Sequence, residues 1–332
     1  MFGISTTYAA APFDHAKADI ILRSSDNVHF RVFKLFLSLA SPFFETLFDI
    51  PQPTQASKDQ EIKDGLAVVP MAEDRKTLTA LLCFCYPGTL VDDPHLDVFE
   101  DVIHVLEAAK KYSFDVIEKK VRRTLSNPKI LEAEPLRCFA IACRGRLREE
   151  MLLAAKYTLT QPLIPSWFKE ISLITAADLL ALLTYHRECG DAVYALRTDM
   201  SWIKSHYGSS QGCAWLSGKN PNGSIMFGGG VGYDDCRCPR TPTPTRYLLF
   251  EKTLQWWEDF MEETFVALRD KPCRATVEGL AEKTVKIVKK TNCPVCSTSV
   301  SEGMRGFSDL LVKKMDEVVS QVSYGWYRYG GS

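Results

Sequence analysis

The 332-residue chain has no excess of charge of either sign, because 40 Lys and Arg stand against 41 Asp and Glu. Nucleic-acid binding draws on a basic excess, so its absence argues against direct contact with DNA or RNA. No apolar run reaches the ~18 residues of a transmembrane helix, and the first residues lack the pattern of a secretory signal. We therefore expect no membrane contact and a location in the cytoplasm or nucleus.

Motifs of catalysis are missing as well. The chain contains no G-x-S-x-G or H-E-x-x-H sequence, and its six His show no metal-site or acid–base spacing. The glycines between Gly228 and Gly232 are not followed by the Lys-Ser/Thr of a phosphate-binding loop, which favours a linker. We predict no catalytic residues and no enzymatic activity, although an enzyme with a site that motifs do not reveal stays an alternative.

Hydrophobic periodicity divides the chain into five parts. Strand patterns at 18–22, 28–33 and 66–70 alternate with helical patterns at 35–48, 74–86, 96–112 and 115–125, with a loop at 51–64. Helical patterns then dominate, apart from a Gly- and Pro-rich stretch. The predicted organisation is a disordered leader (1–16), an α+β unit (17–127), a helical extension (128–207), a Gly/Pro-rich loop (208–245) and a Cys-rich helical region (246–332).

Five motifs in the first unit occur in a recognisable order. They are Ala-Asp-Ile-Ile-Leu at 18–22, Phe-Arg-Val-Phe-Lys-Leu at 30–35, Leu-Ala-Ser-Pro-Phe-Phe at 39–44, Leu-Cys-Phe-Cys-Tyr-Pro-Gly at 82–88 and Ala-Ala-Lys-Lys-Tyr at 108–112. Their order and spacing resemble the BTB/POZ domain family. The whole layout is similar to fungal BTB proteins with a helical, Cys-rich C-terminal extension. The resemblance implies a small mixed sheet covered by helices over 17–127, followed by a mainly α-helical extension.

The resemblance also implies binding to other proteins. BTB domains commonly form homodimers through the first strand and first helix, and the first helix here is rich in aromatic residues. The candidate dimer interface comprises Phe36, Phe43, Phe44, Leu47 and Phe48. Burial of the same side chains in the core is the open alternative. Two roles are plausible for such a domain, namely a substrate adaptor for a cullin-3-type ubiquitin ligase and a scaffold in transcriptional regulation without direct DNA contact.

The Cys-rich region contains the strongest chemical signal. Cys293 and Cys296 form a C-x-x-C pair, which is half of a structural zinc site, and Cys236 and Cys238 are the candidate second half. Two predicted helices of about 33 and 24 Å lie between the pairs, and a helical hairpin would bring the pairs together. Zinc is thus the predicted structural cofactor. Thiols without metal and a redox-active C-x-x-C stay open, and Cys213 or Cys273 could replace one ligand.

Overall fold

The computed structural model describes residues 7–50, 61–92, 94, 99–162, 164, 166–207, 236–241 and 254–324. The chain forms two compact units, one up to Ala154 and one from Ala155. The division lies inside the predicted helical extension, and most of the predicted Gly/Pro-rich loop, with Gly228–Gly232 and Cys213, lies outside the described residues.

The first unit contains a mixed sheet with the order β1-β3-β2-β5-β4. Its strands are β1 (Thr7–Tyr8), β2 (Ile20–Arg23), β3 (Val28–Val32), β4 (Ile62–Lys63) and β5 (Leu66–Pro70). β2 pairs antiparallel with β3 and parallel with β5, while β1 pairs parallel with β3. The sheet curls, since the Tyr8 hydroxyl on one edge strand donates to Asp64 Oδ2 beside the other edge strand at 2.6 Å.

Helices cover this sheet, as predicted. The helices of the first unit are α1 (Lys34–Ala40), α2 (Pro42–Asp49), α3 (Arg75–Cys85), α4 (Phe99–Lys111), α5 (Asp115–Leu125), α6 (Pro128–Ala133) and α7 (Pro135–Arg144), and α8 (Arg148–Thr158) crosses the division. The sheet contributes Ile21, Leu22 and Phe30 to the core, each fully buried. Burial of these apolar side chains against the helices is the main source of stability in such a layer.

Three local features differ from the sequence prediction. The leader predicted as disordered over 1–16 contains β1, and Phe13 in it is buried. The helix predicted over 35–48 is broken at Ser41, because Pro42 disfavours helical geometry at the preceding residue. The loop predicted over 51–64 ends in β4, and Asp64 and Gly65 with φ of 51° and 77° join β4 to β5. Asp-Gly is a preferred pair for such a two-residue hairpin turn.

The second unit is a helical bundle. Its helices are α9 (Ala176–Ala195), α10 (Ser201–Tyr207), α11 (Gln255–Asp270), α12 (Arg274–Lys290) and α13 (Cys296–Gln321). α11 packs against α9 and α12, and α12 packs along α13. Trp257 is fully buried, and its ring centroid lies 4.5 Å from that of Phe307 in α13.

The apolar periodicity of the sequence predicts a last helix that begins at 306, later than the start of α13 in the structure. The structure begins it at Cys296. Its first two turns contain several Ser and Thr residues, which have low helix propensity and obscure the periodicity. In the described part of the chain, no helix combines the length and the apolar character needed to cross a bilayer.

Candidate functional site

The C-x-x-C pair lies at the junction of α12 and α13. α12 ends at Lys290, and Asn292, with φ of 51°, turns the chain towards α13. The Ser297 N–H donates to the Cys293 carbonyl oxygen at 3.0 Å, so the pair is folded into a helical turn at the start of α13. Three-residue spacing on a helical turn places both sulfurs on the same side of the chain.

The second pair reaches the same place through the segment 236–241. Arg240 forms a β-bridge with Leu254, and the Gln255 N–H donates to the Pro239 carbonyl oxygen at 2.9 Å. These contacts fasten the segment to the start of α11. Because α11 and α12 pack as consecutive helices of a hairpin, the start of α11 lies near the end of α12. The hairpin therefore brings Cys236 and Cys238 to the C-x-x-C turn.

The four sulfurs form one compact group, called here the cysteine cluster (Cys236, Cys238, Cys293 and Cys296). All four sulfurs lie within 4.8 Å of one another. Cys236 Sγ is 3.4 Å from Cys296 Sγ and 3.7 Å from Cys293 Sγ. Four thiolates around one zinc ion at ~2.3 Å would be about 3.8 Å apart in ideal tetrahedral geometry. The cluster is thus arranged as a closed four-ligand set and could hold one metal ion.

Burial and hydrogen bonding give the cluster an uneven charge distribution. Burial raises the pKa of the Cys293 thiol, but backbone N–H groups of Cys296, Arg237 and Val295 directed at its sulfur outweigh burial and bring the pKa to about 6. Burial raises the pKa of Cys238 to about 11, and burial with the adjacent Cys236 sulfur raises that of Cys296. Without a metal the set thus carries a stabilised thiolate at Cys293 beside protonated thiols at Cys238 and Cys296, and a cation would replace those protons.

One alternative ligand, Cys273, does not join the cluster. Cys273 precedes α12, and its sulfur lies 3.3 Å from the hydroxyl of Thr276. Cys213 lies outside the described residues. No disulfide links the ten cysteines in the ranges that the structure describes.

The predicted dimer interface on α1 and α2 is divided by the fold. Phe43 is 41% exposed, whereas Phe36, Leu47 and Phe48 are half-buried. Phe44 is 1% exposed and lies in the core, which is the alternative that the sequence left open for this set. The Phe44 ring packs against Tyr112 and Phe114 with centroids 5.5 and 5.6 Å away. Ser41 caps α2 and donates to the Tyr112 carbonyl oxygen, which turns Phe44 into the core.

Two exposed leucines of α1 were missed by the sequence analysis. Leu35 is 62% exposed and Leu39 is 78% exposed, and their four-residue spacing places them on one face of the helix. The sequence signal for these two residues is their apolar i, i+4 spacing, which is weaker than the aromatic content of the same segment. Leu35, Leu39 and Phe43 are the large apolar side chains of α1 and α2 that are exposed, and they are called here the α1–α2 surface.

A surface cavity between α3 and α4 is lined by titratable groups, and two of its carboxylates already have hydrogen-bond partners within the fold. The cavity has a volume of about 420 Å³ and is lined by Glu73, Asp74 and His104, among others. Glu73 accepts hydrogen bonds from Lys111 at 3.0 Å and from the Tyr112 hydroxyl at 2.6 Å. Asp74 caps α3 by accepting from the Thr77 N–H. Both carboxylates are therefore engaged in structural contacts.

Comparison with known proteins characterises the first unit. The family model of the BTB/POZ domain matches residues 12–129, which cover the strands β2 to β5 and the helices α1 to α5. A search of curated proteins finds no match to the chain.

Proposed function

We propose that this chain, in which residues 12–129 form a BTB/POZ domain, is a protein–protein interaction adaptor that self-associates through that domain. BTB/POZ domains are protein-interaction domains and not an enzyme family, so the proposal assigns no catalytic step. A balanced charge and thiols without disulfides in the described ranges are consistent with work in the cytoplasm or nucleus.

The α1–α2 surface supports self-association. Leu35 and Leu39 are large aliphatic side chains with more than half of their surface in water. Exposed apolar side chains grouped on one element are typical of interfaces, because burying them on association is favourable. A second copy of the same surface is the proposed occupant, in an isologous dimer.

Sedimentation of paired variants tests this dimer. The full chain is expected to sediment with the mass of two chains. The double substitution Leu35→Asp with Leu39→Asp is expected to give single chains, because burying two carboxylates in an apolar interface is costly. Val116→Asp is the matched control, since Val116 on α5 is 60% exposed and lies outside the surface. A double variant that stays dimeric would show that another surface holds the dimer.

Two cellular roles remain for the adaptor, and binding of a cullin-3-type scaffold separates them. The substrate-adaptor role predicts that the dimeric protein retains cullin-3 in a pull-down. The transcriptional-scaffold role predicts no cullin-3 and instead co-purification of regulatory proteins, identified by mass spectrometry. In both roles the second unit would present the surface that recognises a particular partner protein. If the protein dimerises but retains no cullin-3 in the pull-down, the substrate-adaptor role is excluded.

The same proposal assigns a structural zinc ion to the cysteine cluster. Four thiolates with no open position form the ligand set of structural zinc sites. Iron–sulfur clusters also use four cysteines, but their sulfurs bind different irons and lie farther apart than ligands of a single ion. Mutual distances within 4.8 Å therefore favour one ion. Its role would be to fasten the segment 236–241 to the junction of α12 and α13.

Metal analysis of the full chain tests the zinc site. Protein purified without chelators is expected to contain one zinc per chain, and Cys293→Ser is expected to lose it. Cys273→Ser is the control, because Cys273 belongs to the same unit but not to the cluster. At a free zinc concentration about a thousandfold above Kd, bound zinc should raise the free energy of unfolding of the second unit by about 4 kcal/mol. Removing the zinc should therefore lower it by that amount. Less than about 0.5 zinc per chain would contradict the proposal, because a structural site of this kind binds tightly.

A further inference from the structure

The four residues of the cysteine cluster differ in their exposure to solvent. Cys293 and Cys296 are each 1% exposed and Cys238 is 8% exposed, whereas Cys236 is half-buried. Cys236 is thus the residue of the cluster that a small water-soluble reagent meets first. Thiolates in a zinc site stay nucleophilic, so access decides which one reacts.

The nearest partner of the Cys236 sulfur lies on another element. Cys296 Sγ is 3.4 Å from Cys236 Sγ, and Cys293 Sγ is 3.7 Å away. The Cys293 sulfur also accepts backbone N–H bonds from Cys296, Arg237 and Val295, which hold it in place. A disulfide has an S–S length of about 2.05 Å, so an approach of about 1.4 Å would join Cys236 to Cys296.

We infer that the cysteine cluster is a peroxide-sensitive metal site, in which oxidation joins Cys236 to Cys296 and expels the zinc ion. This inference rests on the proposed function, because it takes the cluster to hold zinc. The disulfide would take over the role of the metal. It would still link the segment 236–241 to the first turn of α13 after the ion has left.

The chemistry balances with hydrogen peroxide as the oxidant. The Cys236 thiolate attacks one peroxide oxygen, the O–O bond breaks, and hydroxide leaves and takes up a proton, which gives a sulfenic acid and water. The Cys296 thiolate then attacks the Cys236 sulfur. An S–S bond forms, the S–O bond breaks, and the second hydroxide is protonated to water. The two sulfurs lose two electrons and the peroxide gains them. Cys238 and Cys293 alone do not complete a tetrahedral site, so zinc leaves.

The experiment uses the zinc-loaded full chain. Its zinc content is measured first, then hydrogen peroxide is added, and released zinc is followed with a chromogenic chelator. Disulfides are mapped by mass spectrometry of non-reduced peptides. We expect zinc release in proportion to a Cys236–Cys296 disulfide, and recovery of the bound metal after dithiothreitol and fresh zinc. Cys273→Ser should release zinc at the wild-type rate, because that thiol lies outside the cluster.

The outcomes separate two kinds of failure. A chain without zinc before oxidation contradicts the proposed function, and the inference falls with it. A zinc-loaded chain that keeps its metal in peroxide overturns the inference and leaves the zinc site intact. Zinc release accompanied chiefly by a Cys293–Cys296 disulfide, or by sulfinic acids without a disulfide, also overturns it. The mapping needs no substitution in the cluster, so it does not depend on a variant that fails to fold.

Discussion

The two units hold their turns and connecting segments in place by different interactions. In the first unit, local turn and cap residues begin the work, as in the Asp64–Gly65 turn and the Ser41 cap of α2, and the bonds of Asp64 to Tyr8 and of Ser41 to Tyr112 add to it. In the second unit, the segment 236–241 meets the C-x-x-C turn, whose cysteines follow more than 50 residues later. Local turn chemistry forms with its own strand or helix, whereas the cysteine cluster can assemble only after the bundle has folded. The second unit should therefore respond to metal and oxidants, and the first should not.

Tryptophan gives a direct way to observe this difference. All six Trp lie after residue 154, so intrinsic fluorescence reports on the second unit. The buried Trp257 between Phe260 and Phe307 is the main reporter of its core. Amide hydrogen exchange in β3 reports on the first unit.

The largest effect is expected in the core of the first unit. Phe44→Ala should lower its free energy of unfolding by about 3–5 kcal/mol, because it leaves a cavity beside Tyr112 and Phe114. Exchange of the β3 amides should accelerate, while the fluorescence midpoint in urea should stay unchanged. Val116→Ala, at a residue 60% exposed, should change stability by no more than about 0.5 kcal/mol. A matching shift of the fluorescence midpoint would refute the independence of the two units.

A smaller effect is expected where α9 meets α11. A Cβ atom on Gly190 would lie 2.1 Å from the Arg269 carbonyl oxygen, so Gly190→Ala must push the two helices apart. We expect a loss of about 3 kcal/mol in the second unit, seen as a lower fluorescence midpoint. Gly279→Ala is the matched control, because a Cβ there meets no atom within 4 Å. This control should gain about 0.5–1 kcal/mol from helix propensity. Equal midpoints for the two variants would contradict the close approach.

The smallest effect concerns pH. His186 Nε2 lies 2.8 Å from the Asp270 carbonyl oxygen, and burial lowers the pKa of His186 below its usual 6.5, although that carbonyl opposes the shift. The unfolded chain therefore binds a proton at His186 before the folded chain does. The free energy of unfolding of the second unit should fall as the pH drops below 6.5, until the folded pKa is passed. His186→Gln should make the fluorescence midpoint less dependent on pH as the pH falls below 6.5. Parallel pH curves for wild type and variant would refute this role.

Much of the first unit was predictable because its signals are local. The strands at 20–23, 28–32 and 66–70 and the Asp74 cap of α3 follow from alternation, turn residues and capping. β1 was missed because two residues contain no periodicity, and its place depends on pairing with β3. β4 was missed despite the Asp64–Gly65 signal, because the polar stretch before it was interpreted as one loop.

The candidate sites were predictable only in part. The grouping of the four cysteines followed from the C-x-x-C spacing together with the expected hairpin of α11 and α12, and the structure places their sulfurs together. Whether they hold zinc stays a prediction. For the α1–α2 surface, the sequence pattern indicated aromatic residues but not which of them face the core and which face solvent. The break at Ser41 rotates α2 relative to α1, and this rotation buries Phe44 while Leu35 and Leu39 face solvent.

The β-bridge between Arg240 and Leu254 has a practical consequence for engineering. The bridge holds the segment 236–241 next to the start of α11, since the Gln255 N–H also meets the Pro239 carbonyl oxygen. Whatever number of residues joins these two elements, the separation of the two ends stays the same, and lengthening a closed stretch costs little entropy. A change in the number of residues between 241 and 254 should therefore weaken this bridge only slightly.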